Sequence, residues 1–376
     1  MTIGILRETG SENRVAILPG EVALLKKMNL RVLVEPHAGD KAYASDAEYE
    51  KAAAEITARQ RLIKESDILV SVNLPIQEQP DVFKPGQLLC SLVSQAEHNL
   101  WIEDVRERGL TLLALNLVPR ITRAQTMDVL SSMATISGYK AVLDAAFLLP
   151  RFFPMFMSAS GTTKPAKVLI LGAGVAGLQA LATARKLGAV VEVFDVRSAV
   201  KEEVKSLGGR FVEVEGSKED ILAGGYAVEQ TEEFREKQKK LIQQHSIASN
   251  VIICTAQIPG KKAPVLVTSD TVRSMKPGSV IIDIAASTGG NCELTVNGEI
   301  ISINMVTIVG RTDYPSLMSA DSSRMFGNNL TGLLKLIIDK EGQLILNLND
   351  EIIRETMIVH NYEYVNKNMK QLLNSK

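Results

Sequence analysis

The sequence predicts an α/β protein built from two doubly wound domains with mostly parallel sheets. Short β-rich runs alternate with helical stretches through the first third, and the alternation restarts at Lys167. The restart contains a glycine-rich turn between an apolar strand and an apolar-periodic helix. A chain of 376 residues with 45% hydrophobic content has enough apolar surface for two cores of about 100 to 200 residues each.

In the first third, residues 3–6, 31–35, 67–72, 88–93 and 111–117 read as strands, and residues 20–28 and 98–109 as helices. A long helix then runs from about Ala124 to Leu149, where Pro150 stops it. Residues 147–157 are apolar but interrupted by Pro150, Arg151 and Pro154, and read as a helix end packed against protein, an interfacial anchor being the alternative. From Lys167 come a strand (167–171), a turn, a helix (175–187) and a second strand (190–194), with later strands at 251–254, 279–284 and 307–309. Residues 218–245, a Gly-Gly-Tyr segment followed by the charged run TEEFREKQKK, read as an exposed excursion. A helical pattern over 316–339 leads into a polar tail expected to return to the first domain. The expected division is 1–125 plus 315–376 for the first domain and 126–314 for the second.

Lys and Arg number 42 against 43 Asp and Glu, a net charge of -1 that offers no general attraction to nucleic acid or anionic lipid. The opening MTIGILRETG lacks a signal-peptide pattern, and no apolar run approaches the roughly 20 residues that span a bilayer. The chain is expected to be cytoplasmic, with any membrane link made through a partner. Cys90, Cys254 and Cys292 lack metal-ligand spacing, and the first two have the apolar flanks of buried thiols. His37, His98, His245 and His360 are scattered and read as surface or locally bonded, so no metal is expected.

The strongest motif is KVLILGAGVAGLQALATARKLGAVVEVFDVR, with Gly172, Gly174 and Gly177 in a GxGxxG pattern between strand and helix. In the Rossmann dinucleotide-binding unit the first glycine permits the tight turn, the second admits the pyrophosphate to the backbone, and the third lets helix and strand pack closely. The diphosphate would then lie over the amides of the helix N-terminus, beginning at Val175. Asp195 ends the second strand where a carboxylate accepts hydrogen bonds from the adenosine ribose, with Val196 and Arg197 following. An Arg here can instead accommodate the 2′-phosphate of NADP; the carboxylate, which would repel a phosphate dianion, favours NAD.

Over nearly its whole length the chain resembles the superfamily of alanine dehydrogenases and the NAD(H)-binding part of the alpha subunit of proton-translocating NAD(P) transhydrogenases. Besides the glycine motif, the opening GILRETGSENRVAILPGEVALLKKMNLRVLVEPHAGDKAYASDAEYEKAAA is similar to the shared N-terminal signature. Alanine dehydrogenases use a Lys, a His and an Asp near the nicotinamide; by resemblance these fall on Asn73, Ser94 and Ser287, which neither titrate near neutrality nor hold a charge. The transhydrogenase Arg, Gln, Asp and Ser set falls on Arg120, Gln125, Asp128 and Ser131 in PRITRAQTMDVLSS. Were the helix to start near Ala124, the last three would share about a third of its circumference. The resemblance extends the cofactor-contacting segment over Ile121, Thr122 and Arg123. It also marks Gly225 and Tyr226 on a loop that closes over the cofactor, and Gln238, Ala256 and Gln257 near the adenosine.

The transhydrogenase resemblance implies direct hydride passage from NADH on this chain to NADP+ on a partner, which releases no proton at the ring carbons and needs position and electrostatics rather than an acid or base. Gln125 would bridge toward the partner's cofactor, Asp128 and Ser131 would orient the carboxamide, and Arg120 would hold the cofactor or pair with Asp128. The implied partners are an NADP(H)-binding beta subunit, a membrane-spanning subunit and a second copy of this chain in a homodimer. Proton translocation would occur in the membrane subunits, placing this chain at the inner face of the cytoplasmic membrane. The alternatives are an NAD-dependent amino-acid (alanine) dehydrogenase with relocated catalytic groups and a NAD-sensing regulatory subunit.

Overall fold

A computed structural model describes residues 1–94, 99–213, 232–258 and 261–366, with backbone only at 232–235. The chain divides into two compact units, 1–133 with 315–376, and 134–314. The division falls inside a single helix, Val129–Leu148.

In the first unit the strands β1 (Thr2–Ile5), β2 (Arg31–Val34), β3 (Glu55–Ile56), β4 (Ile68–Asn73), β5 (Leu88–Leu92) and β6 (Thr111–Ala114) pair in the order β3-β2-β1-β4-β5-β6, all parallel. Helices cover the sheet, so its strands read as near-continuous apolar runs: Ile3, Ile5, Val32, Leu33, Ile68, Val70 and Leu88 are all buried. The strand order reverses between β1 and β4.

The second unit opens with a two-stranded hairpin, β7 (Phe156–Ser158) and β8 (Gly161–Thr163). Its main sheet comprises β9 (Lys167–Leu171), β10 (Val190–Phe194), β11 (Arg210–Phe211), β12 (Val251–Cys254), β13 (Val280–Asp283), β14 (Ile300–Ile303) and β15 (Val306–Val309). The order is β11-β10-β9-β12-β13-β15-β14, parallel throughout except for the antiparallel edge strand β14. This is the doubly wound arrangement, and its order reverses between β9 and β12. The expected helix end packed against protein holds for one side of the segment only: the helix stops at Leu148 and the chain passes into the exposed hairpin. Leu149 and Phe153 are buried in the unit's core, whereas Phe147 is 88% and Met157 69% exposed. Pro150 and Pro154 break the run, and Phe152 stacks on Phe156 with ring centroids 4.8 Å apart instead of entering the core.

The chain then supplies the helix Ser319–Ile337 and two strands, β16 (Met357–His360) and β17 (Glu363–Tyr364), to the first unit. β16 lies antiparallel on β6 and covers an otherwise open sheet edge, with β17 antiparallel outside it. These two strands stand where the sequence suggested only a polar tail. Among the described residues no helix is long and apolar enough to cross a membrane. Cys90, Cys254 and Cys292 are all buried.

Candidate functional site

The glycine turn follows β9 and Thr255 follows β12, so both stand at the carboxyl ends of the two strands where the order reverses. In open α/β sheets that crevice is where ligands bind. Gly172 has φ of +107°, and a Cβ there would come within 2.6 Å of Thr255 Oγ1. Thr255 Oγ1 donates to the Gly172 carbonyl at 2.9 Å, tying the two strand ends together. A Cβ on Gly177 would stand 1.9 Å from that same carbonyl oxygen, so the helix Val175–Lys186 can lie this close to β9 only with glycine at 177. Gly174 is the N-cap, and a Cβ there would meet nothing within 4 Å. The first-turn amides that a helix leaves without internal acceptors therefore lie under open space, which suits a diphosphate.

Asp195, one residue past β10, accepts from Ala173 N at 2.7 Å and so pins the glycine turn. It also accepts from Arg197 N at 2.8 Å and from Arg197 Nε and Nη2, each at 3.0 Å. Burial would raise its pKa, but the hydrogen bonds from Arg197 and the two amides outweigh burial and hold the carboxyl below its ordinary range. Val196 is 53% exposed beside it.

The loops after β12 and β13 are organised by residues that carry no signal in the sequence. Asp283, fully buried, accepts from Ala285 N (3.0 Å), Asn291 N (2.8 Å), Cys292 N (3.0 Å) and Thr295 Oγ1 (2.7 Å). Burial nonetheless pushes its pKa up. Asn291 then donates to the Ala256 and Pro264 carbonyls, both at 2.8 Å, and accepts from Ala256 N at 3.0 Å. Ala256 is thereby fixed at the end of β12, and Gln257 Nε2 donates to the Ile284 carbonyl at 3.2 Å. Gln238 is half-buried on the helix Glu232–Ala248. On the same helix His245 has Nδ1 2.6 Å from the buried Glu192, which also meets Lys167 Nζ at 3.1 Å. Gly225, Tyr226 and His98 lie outside the described residues.

The segment 120–131 departs from the sequence-based expectation. The long helix begins at Val129, not near Ala124, and Thr122–Met127 forms a 3-10 turn. Asn329 Nδ2 takes the Thr126 carbonyl at 2.8 Å, so that oxygen is not left to an α-helical ladder, and Ala124 and Met127 are buried. Asp128 closes the turn as N-cap, its carboxylate accepting from Ser131 N at 2.9 Å and Ser131 Oγ at 2.6 Å. Gln125, Asp128 and Ser131 therefore do not share one helical face: Gln125 is exposed on the turn, and the other two form the cap. Arg120 and Thr122 are exposed and Ile121 half-buried, while Arg123 forks onto Asp350 at 2.7 and 2.8 Å.

The reversal in the first unit holds a second polar cluster. Glu8, just past β1, accepts from Val72 N at 2.6 Å and Asn73 N at 3.2 Å. Asn73 Nδ2 donates to Glu8 at 3.2 Å and to Glu12 at 3.1 Å. Glu12 is forked by Arg14 at 2.8 and 2.6 Å. Burial, with the nearby Glu12 adding to it, pushes Glu8 up to about 7; for Glu12 burial is overcome by Arg14, which holds it at about 2. Glu8, Glu12 and Arg14 line a cavity of about 470 Å³ together with Arg7, His37 and Lys41. The sequence singled out Asn73 but none of the charged residues around it, although the switch-point rule applied to this domain would have pointed there. Ser94 and Ser287 are both exposed, the latter on the turn Ala286–Thr288.

Residues 4–137 match the family description "Alanine dehydrogenase/PNT, N-terminal domain" and residues 141–367 match "Alanine dehydrogenase/PNT, C-terminal domain". The first portion of the NAD(P) transhydrogenase alpha subunit of Rhodospirillum rubrum is 44% identical over 369 residues, covering 95% of this chain and 96% of its own length. The structure of a transhydrogenase from Sinorhizobium meliloti aligns with a TM-score of 0.89 at 38% identity, over 97% of this chain and all (100%) of that one. The alanine dehydrogenase of Bacillus subtilis is 30% identical over 298 residues, covering 78% of this chain and 72% of its own length.

Proposed function

Since the chain belongs to the alanine dehydrogenase/PNT family, we propose that it is the NAD(H)-binding component of an NAD(P) transhydrogenase, passing hydride from NADH to NADP+ held by a partner subunit. The observation that carries this choice within the family is Asn73. Where the dehydrogenases place a Lys, this chain has a neutral amide already donating to Glu8 and Glu12. Ser94 and Ser287 likewise stand where a His and an Asp would serve amino-acid oxidation.

Bound NADH supplies the hydride, and the chain's own residues bind and orient. The amides at Gly174–Gly177 hold the diphosphate, and the Asp195 carboxylate accepts from the adenosine ribose. Ala256 and Gln257, fixed by Asn291 and the Ile284 carbonyl, flank the adenosine together with Gln238. Asp128, with Ser131, orients the carboxamide; Arg120 and the backbone of Ile121–Arg123 hold the nicotinamide end; and Gln125, exposed on its turn, reaches toward the partner's NADP+. Hydride transfer between two nicotinamides then depends on near-attack geometry more than on proton transfer.

The partners in this proposal are an NADP(H)-binding beta subunit, a membrane-spanning subunit through which proton translocation is coupled, and a second copy of this chain. The chain would sit on the cytoplasmic face of the membrane through those partners. The test is to mix the chain with an NADP(H)-binding transhydrogenase subunit and follow hydride exchange from NADH. Exchange that requires both proteins supports the proposal, and NADH binding without exchange would instead indicate a sensor.

One observation favours a second reading, an amino-acid dehydrogenase with relocated groups: Glu8, held at about 7, borders the cavity beside Asn73. Alanine-dependent reduction of NAD+ by the isolated chain, abolished by Glu8→Gln, would establish it.

A further inference from the structure

The two oxygens of a carboxylate offer about four acceptor positions, and on Asp195 four donors occupy them. Oδ1 takes Arg197 N and Nε, and Oδ2 takes Ala173 N and Arg197 Nη2. A ribose diol can reach this carboxylate with its hydroxyl protons only if something leaves. The two amide bonds belong to the turn itself, so the side-chain fork of Arg197 is the part that can go. Its side chain is 43% exposed, against 7% for Asp195, and has an open path into solvent.

We propose that Arg197 is an affinity-determining residue for NAD(H): its fork competes with the adenosine ribose for Asp195 and must give way for the ribose to bind, while discrimination against NADP(H) stays with the carboxylate. The inference rests on the reading that the Gly172–Gly177 turn holds NAD(H). A 2′,3′-diol returns two O–H donors to Asp195 for the two N–H donors it displaces, so the largely buried carboxylate stays satisfied. A 2′-phosphate at neutral pH brings negative charge and little donor capacity. To bind it, Arg197 would have to abandon Asp195, leaving that carboxylate short of donors and facing a second anion. An arginine engaged on Asp195 is therefore not available to a 2′-phosphate, unlike an arginine held free to grip one.

The test is equilibrium binding of NADH, NADPH, ADP and 2′,3′-dideoxy-ADP to the wild-type chain, Arg197→Ala and Arg197→Lys, with thermal denaturation to establish that each variant folds. Removing a partly exposed competing ion pair is expected to tighten NADH and ADP about threefold in Arg197→Ala. Dideoxy-ADP, which does not call on Asp195, should be unaffected, and NADPH should stay weak because the carboxylate remains. Arg197→Lys, which keeps the charge but not the fork, should fall between. Weaker NADH binding in Arg197→Ala, equal tightening of ADP and dideoxy-ADP, or NADPH binding that is strong in the wild type and lost in Arg197→Ala would each overturn the inference. Absence of NADH binding by the wild-type chain would overturn the cofactor reading beneath it as well.

Discussion

Asp128 and Ser131 are joined twice, the carboxylate accepting both the backbone N–H and the hydroxyl of the serine three residues on. That double contact makes Asp128 the N-cap of Val129–Leu148 and places its negative charge at the positive end of the helix dipole. Asp128→Ala is expected to cost about 1 kcal/mol, read as a lower melting temperature. Asp128→Asn keeps an acceptor at the cap and should recover most of that loss. Equal destabilisation by both would mean that the charge, not the cap, is what the helix uses.

Two glycines of the turn, Gly174 and Gly177, separate binding from folding. Gly174→Ala adds a methyl into open space at the N-cap, so the cost to stability should be about 1 kcal/mol or less while NADH affinity falls, because the methyl occupies the approach of the diphosphate. Gly177→Ala drives a methyl against the Gly172 carbonyl, 1.9 Å from its ideal position. Helix and strand must separate, with an expected cost of roughly 3 kcal/mol. Urea unfolding and NADH titration of the two variants check the contrast; similar stabilities would contradict the close packing at 177.

Glu8 and Glu12 give the first unit opposite pH signatures. Folding raises Glu8 from 4.5 to about 7. Between those values the folded state holds a proton that the unfolded chain has released, so stability falls as pH rises through the window. Glu8→Gln should therefore stabilise at pH 8, on the order of 2 kcal/mol, and change little at pH 4. Glu12 is lowered from 4.5 to about 2, so its contribution is complete above the unfolded value and is lost as pH falls toward 2. Glu12→Gln should destabilise at pH 7 and lose its effect in strong acid. Melting curves of both variants across pH 3 to 8, on the order of one point per unit, would expose a wrong sign in either.

How far these features were legible depends on where their partners lie. The glycine turn and Asp195 could be read because strand, turn, helix and acidic residue occur at fixed spacing within about 30 residues. The start of the long helix could not, because the Asn329 side chain, 203 residues away, takes the Thr126 carbonyl and leaves Asp128 to begin the helix. Glu8 is likewise defined by Val72 and Asn73, brought beside it only when β1 and β4 pair. Asp283 reads only as one residue of the strand 279–284, and its four donors come together only once the loop 285–295 folds back over it. β16 and β17 were hidden in a stretch of mixed polarity because they take their place by covering the edge of β6 and not from a strong pattern of their own.

Gln125 provides the sharpest check on the proposed chemistry. It is exposed on the Thr122–Met127 turn, which is held by the buried Ala124 and Met127 and by the Asn329 bond to Thr126. Its amide therefore projects from a fixed base, and shortening the side chain by one methylene should leave the fold and the NADH-binding residues of the second unit untouched. If Gln125 bridges toward the partner's nicotinamide, Gln125→Asn moves the amide by about 1 Å and should slow hydride exchange on the order of a hundredfold. NADH affinity should change less than about threefold, since the diphosphate and ribose contacts remain. Rapid-mixing measurement of hydride exchange beside NADH titration separates the two effects. A parallel loss in both would make Gln125 an ordinary binding residue and remove it from the transfer step.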